Sequence, residues 1–239
     1  QAASTYKQAL EIAPENEGIY LRLAAFYQRQ NKVADAEAIL QKLASIKPQH
    51  ENAHLHLGDF YTSLGQPEKA LASYQRATDV NPNSTLARDK LIGHYLDTRK
   101  TSEAEAKIKE LLDKNNKDLM GRYFDARIQL TKTKPDEAIS LLQGVLKDEP
   151  QFAGAHYFLG VAFLQKRQAA QARGSFAEAV KLNPQLGEAR TALAQIHLAE
   201  GSADLAIEQA QAAIQLNPRN VQAAIIAGDA YLSKKDLAK

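Results

Sequence analysis

Residues 68–82 read EKALASYQRATDVNP, and the same cadence returns in QARGSFAEAVKLNP at 171–184 and LAIEQAQAAIQLNP at 205–218. Each stretch has an alanine, a second apolar residue four positions on, a third three further on, and then a proline. Spacings of four and three put the three side chains on one face of an α-helix. The proline ends that helix, because it cannot continue a helix interior.

The rest of the chain keeps the same beat. Pro14, Pro48, Pro82, Pro150, Pro184 and Pro218 are separated by 34, 34, 68, 34 and 34 residues, and Asn116 stands at the midpoint of the double step. Pro67 and Pro135 lie off this comb but are themselves 68 apart. Ala2, Ala36, Ala70, Ala104, Ala138, Ala172 and Ala206 recur every 34 residues, each followed by Tyr6, Leu40, Tyr74, Ile108, Leu142, Phe176 or Ala210 one helical turn later. Three residues on come Ala9, Leu43, Ala77, Leu111, Val145, Ala179 and Ala213.

A first helix precedes this one in every unit. Its small position is held by Ala24, Gly58, Ile92, Ala126, Gly160, Ala194 and Gly228, with Tyr27, Tyr61, Tyr95, Phe163 or Tyr231 three residues later in most units. Small residues let two helices approach, and leucine and aromatic side chains fill the space left between them. Asn31, Gly65 and Gly201 stand where the first helix stops and suit the left-handed conformation needed there. One such pair cannot bury its apolar faces alone, so neighbouring pairs must stack.

The whole pattern resembles the tetratricopeptide repeat, a 34-residue helix–turn–helix unit. The resemblance implies an all-α fold, a right-handed α-solenoid (superhelix) of antiparallel helix pairs. A single solenoid over 1–239 then has full repeats at 17–50, 51–84, 85–118, 119–152, 153–186 and 187–220. Residues 1–16 are the second helix of a partial repeat, and 221–239 the first helix of another. Because arrays usually end in polar caps, the expectation is an internal piece of a longer array. Its alanine- and glutamine-rich repeats look like those of long bacterial tetratricopeptide proteins.

Composition narrows the function. With 30 basic against 28 acidic side chains, the chain lacks the basic excess of a nucleic-acid binder. It has no cysteine, hence no disulfide, thiolate metal site or cysteine nucleophile. No stretch approaches the eighteen apolar residues of a membrane span. Phosphate-loop, dinucleotide, zinc-protease and serine-elbow motifs are all missing, so no enzymatic activity and no cofactor is expected. Of the six histidines, His54 and His156 are three periods apart at the bulky position that opens a first helix, and His197 holds a recurrent tyrosine position. Those placements are structural, and no metal site is expected. The compartment, cytoplasm or periplasm, is left open.

What remains is a surface. In the tetratricopeptide family the first helices line the concave side. Positions two, five, nine and twelve of each unit form a stripe beside the packing face. That stripe is more apolar than a solvated face. It is richest at Tyr123, Arg127, Tyr157, Val161 and Leu164, and it includes Leu55, Asp59 and Asp89 earlier in the chain. Tyrosine and arginine are frequent interface anchors. These eight residues are therefore the expected contacts for a protein or peptide ligand held in a concave groove. Two other roles fit the same reading: a substrate-recruiting arm of a larger enzyme, and a self-assembling component of a bacterial envelope or exopolysaccharide-export complex, with self-association through the uncapped ends. The lysine–asparagine clamp of the chaperone-tail-binding class is absent, since positions five and nine hold Leu21 with Ala25, Leu55 with Asp59, and Asp89 with Gly93. Units three and four are the least regular. Arg122 and Asp125 there are expected to pair along the helix, with Phe124, Ile128 and Leu130 taking over the packing.

Overall fold

A computed structural model describes residues 1–234. Among these residues the chain forms fourteen α-helices and no strand. They are α1 (Ala2–Ile12), α2 (Glu17–Arg29), α3 (Val33–Ile46), α4 (Glu51–Ser63), α5 (Pro67–Val80), α6 (Thr85–Asp97), α7 (Thr101–Lys114), α8 (Leu119–Thr131), α9 (Pro135–Asp148), α10 (Ala153–Gln165), α11 (Ala169–Leu182), α12 (Gly187–Ala199), α13 (Ala203–Leu216) and α14 (Val221–Ser233). They fall into two compact units, Gln1–Lys107 and Ile108–Lys239.

Local chemistry sets the ends of each helix. The second helices stop two residues short of the comb proline, as α3 does before Pro48 and α11 before Pro184. The two prolines off the comb open α5 and α9 at the first helical position, where a missing N–H costs nothing. Ser84, Asp118 and Asn220 cap α6, α8 and α14 by accepting the N–H of the residue three positions on.

The six first helices α2, α4, α6, α8, α10 and α12 stop by one device. Asn31, Gly65, Arg99, Thr133, Arg167 and Gly201 have φ of 57°, 65°, 59°, 56°, 58° and 75°. The N–H of the next residue donates to a carbonyl five positions back, as Lys134 does to Gln129 at 2.9 Å and Ser202 to His197 at 2.8 Å. This is the Schellman closure. Only Asn31, Gly65 and Gly201 announce it in the sequence; the stacked array imposes it on Arg99, Thr133 and Arg167 despite their side chains. Thr133 suffers most, since β-branched residues rarely adopt positive φ. Thr133→Gly is therefore expected to raise stability by about 1 kcal/mol in urea denaturation, the relief of left-handed strain exceeding glycine's entropic cost.

Within each unit of the fold, a first helix packs on the second helix that follows it, and that second helix packs on the next first helix. First helices also touch each other, α4 with α6, α8 with α10 and α12 with α14. No comparable contact joins consecutive second helices among the described residues, so the first helices form the inner layer of each unit. The recurrent alanines Ala36, Ala70, Ala138, Ala172 and Ala206 are completely buried. At Gly58 and Gly160 the ring of Tyr74 or Phe176 lies directly on the glycine.

Polar contacts repeat with the same period. Tyr20 and Arg190 donate to the carbonyls of Pro14 and Pro184, both at 3.0 Å. His54 and His156 do the same to Pro48 and Pro150 at 3.1 and 3.0 Å. A carbonyl only accepts, so both histidines carry their proton on Nε2. The bulky opening residue thus ties α2, α4, α10 and α12 to the turn before each. The glutamines Gln41, Gln75 and Gln211 donate to the hydroxyls of Tyr61, Tyr95 and Tyr231, linking a second helix to the next first helix.

The two irregular units replace the proline tie with carboxylates. Arg88 pairs with Asp89 at 2.8 Å, and Arg122 on α8 pairs with Asp148 on α9 at 2.5 Å. The expected pairing of Arg122 with Asp125 does not form; Asp125 accepts instead from Gln129 at 2.8 Å. A guanidinium on a long stem reaches the next helix, where it bridges the pair. Phe124, Ile128 and Leu130 are buried and do take over the packing.

Candidate functional site

The eight expected groove residues separate by burial. In the first unit Leu55 on α4 is only 3% exposed, so it belongs to the packing rather than to a contact surface. Asp59, one turn on, is exposed. Its Oδ1 accepts from the Tyr74 hydroxyl at 2.7 Å and from Lys90 at 2.6 Å. Burial first, then the Asp59 carboxylate, keep the Tyr74 phenol protonated well above its ordinary range, so it stays a donor. Asp89 is half-buried against Arg88. The two carboxylates of this part of the stripe are therefore largely neutralised by their own neighbours.

In the second unit Tyr123 on α8 is 8% exposed, and its ring sits 5.3, 4.7 and 5.7 Å from those of Phe124, Phe152 and Phe158. Arg127 covers this pile, its guanidinium 4.8 Å from the Phe158 ring centre. Such stacking fixes an arginine and dehydrates it in part. Tyr123 thus anchors the core of this face. Tyr157 on α10 is half-buried between Phe158 and Phe176, with ring centres at 5.0 and 5.7 Å. Burial, reinforced by Glu188, raises its pKa, so the hydroxyl remains protonated. Val161 packs half-buried against the cluster around Phe176. Leu164, at 41%, is the exposed apolar residue of the set.

Beside Tyr157 the inner layer opens into a hollow of about 370 Å³ between α10, α12 and α14. Tyr157, Glu188, Thr191, Gln195, Gln222 and Ile226 line it. Asn220, the cap of α14, donates to Thr191 Oγ1 at 3.0 Å, and Gln222 donates to Gln195 at 3.4 Å. The wall is thus a tyrosine ring, an isoleucine, and amides and a hydroxyl that both give and take hydrogen bonds. Glu188, Thr191, Gln195 and Gln222 occupy positions two, five, nine and two of their units, on the stripe read from the sequence. Residue type hid them: without a ring or a guanidinium they do not stand out as anchors.

Four of the six histidines are committed to structural contacts. His54, His94 and His156 direct Nε2 to the carbonyls of Pro48, Pro67 and Pro150, and His56 meets Glu17 at 3.0 Å. Among the described residues no group of three or more metal-ligating side chains comes together. No described helix is long and apolar enough to cross a membrane.

Comparison with known proteins agrees with the architecture. The structure is similar to a thermophilic tetratricopeptide repeat protein of Thermus thermophilus, with 23% identity, TM-score 0.65, and coverage of 76% of this chain and 99% of that one. It is also similar to a tetratricopeptide repeat protein from Parabacteroides merdae, with 18% identity, TM-score 0.76, and coverage of 96% and 91%. PilW, a type IV pilus biogenesis factor, matches at 21% identity and TM-score 0.60 over 87% and 97% of the two chains. None of the curated proteins matches the sequence. Models of the tetratricopeptide repeat match residues 1–57, 51–84, 125–187 and 191–239. Together with the 34-residue helix pairs and the all-helical stack, these matches show that the chain belongs to the tetratricopeptide repeat family, a family of protein-interaction scaffolds.

Proposed function

We propose that the chain is a non-catalytic interaction scaffold and that the hollow between α10, α12 and α14 receives an extended polypeptide segment of a partner. The observation that carries this reading is the lining. Gln195, Gln222 and Thr191 offer paired donors and acceptors, which is what an exposed peptide backbone requires, while Tyr157 and Ala192 offer apolar area for a side chain. Leu164 and Val161 extend the apolar wall along α10, and Arg127 places a positive charge at its far side. A backbone-reading surface of this kind takes many sequences weakly and gains selectivity from the side-chain contacts.

The test is a displayed library of random linear peptides selected against the chain. Affinity of the selected peptides is then measured for the Gln195→Ala, Gln222→Ala double variant. Both glutamines are exposed, so the fold should hold, as circular dichroism will verify. Losing two hydrogen bonds of about 1 kcal/mol each predicts a roughly tenfold or greater loss of affinity. Peptides that bind the double variant undiminished would discard this site.

A further inference from the structure

Glu188 is the only carboxylate on α10 or α12, two of the three helices around the hollow. It lies on the hollow wall together with Tyr157. Among the described residues it makes no hydrogen bond and no ion pair. Other carboxylates of this unit are engaged. Asp118 caps α8, Asp125 accepts from Gln129, Asp148 pairs with Arg122, Glu178 with Lys181 and Glu200 with Arg173. The arginines nearest in the fold are committed elsewhere: Arg190 donates to the Pro184 carbonyl and to Gln209, and Arg127 lies over Phe158.

A carboxylate in the first turn of a helix complements the helix dipole, and Glu188 does so for α12. That role needs no hollow. The surroundings supply a second one. Tyr157 is half-buried, and its hydroxyl also has no hydrogen-bond partner among the described residues. Glu188 is near enough that its charge, after burial, helps keep that hydroxyl protonated, with Arg127 opposing it. Ala192 lies on the same wall. A carboxylate beside a ring and a methyl group is complementary to a cation with flat, weakly hydrated faces. A guanidinium meets that description: its parallel N–H groups match a carboxylate, its plane stacks on a ring, and its stem packs on apolar ground. The chain shows the same fit on the neighbouring helix, where the Arg127 guanidinium lies 4.8 Å from the Phe158 ring centre and 5.9 Å from that of Tyr123.

We propose that the segment received by the hollow presents an arginine, its guanidinium pairing with Glu188 against the ring of Tyr157. This rests on the reading of the hollow as a peptide seat and names what that seat selects. Thr191, Gln195 and Gln222 hold a backbone whatever its sequence, whereas Glu188 supplies the choice. A segment with an acidic residue at this point is repelled, and a neutral one leaves the carboxylate unpaired.

The probes are the linear peptides selected from the random library. Those selected on the unsubstituted chain should share an arginine at one position, and those selected on Glu188→Gln should not. Glu188 is exposed and glutamine keeps its size, so the fold should hold. For one selected peptide, Glu188→Gln in the chain or citrulline for arginine in the peptide should each weaken binding roughly tenfold, as loss of a charge-assisted bidentate pair does. The two changes together should cost no more than either alone. Lysine for arginine should also weaken binding severalfold, since it keeps the charge and loses the plane. Selected peptides without a shared arginine, additive losses, or lysine at undiminished affinity would overturn the proposal. Peptides that lose affinity for the Gln195→Ala, Gln222→Ala variant but not for Glu188→Gln would sink the arginine seat and leave the hollow standing. Peptides that lose affinity only for Glu188→Gln would support the arginine seat and remove the glutamines from backbone reading. A library that yields no binder would overturn both.

Discussion

Replacing Phe176 by alanine is expected to lower the stability of the second unit by about 3–5 kcal/mol, the range for a buried aromatic side chain. The ring is fully buried and sits at the centre of a cluster with Ala172, Ala179, Ala189, Leu193 and Ile196. It also covers Gly160 and supports Tyr157. With Gly160 on one side and Ala172 and Ala179 beside it, Leu193, Ile196 and Tyr157 can refill the void only in part. Domains are typically stable by about 5–15 kcal/mol, so the loss is a large fraction of the total. In a stacked array each repeat is held chiefly by its neighbours, so the damage stays local. Urea denaturation should show the loss, and hydrogen exchange should locate it, with α10 and α11 opening first and α3 to α5 keeping their protection. A change under about 1 kcal/mol would mean that the ring-on-glycine contact is not what binds the pair.

The converse substitution tests the same contact from the other side. Gly58→Ala is expected to cost about 1–3 kcal/mol, as overpacking does in a well-filled core, although alanine is the better helix former by about 1 kcal/mol. The added methyl would overlap the Tyr74 ring. That ring cannot withdraw freely, because its hydroxyl is held by Asp59. Tyr74→Leu in the Gly58→Ala background should recover much of the loss, since leucine already fills the ring position as Leu40 and Leu142, both buried. A double-mutant cycle reads the coupling directly. Additive losses would show that glycine stands at position 58 for some reason other than the ring.

These expectations also show where sequence reading succeeded. The alanine comb, the bulky residue one turn later and the proline located every helix and its packing face, because helix formation and its apolar stripe are local and periodic. Asn31, Gly65 and Gly201 revealed the left-handed stop; Arg99, Thr133 and Arg167 concealed it, since there the stacked array overrides residue preference. Arg122 was misread for a related reason. Its neighbour along the helix, Asp125, is visible in the sequence, whereas Asp148 comes near only once α8 and α9 fold together.

The candidate site depended still more on tertiary contacts. Periodicity identified the stripe at positions two, five, nine and twelve, and thereby the face on which Tyr157, Val161 and Leu164 lie. It did not reveal that Leu55 would be packed away, or that Phe152 and Phe158 would close over Tyr123. Nor did it reveal that the open hollow would lie beside Gln195 and Gln222. The sequence by itself determined the helices, their pairing and their family, because one 34-residue unit repeats the same local forces. Only the tertiary structure decided which stripe residues still meet solvent, because exposure is set by side chains from other helices at other repeats.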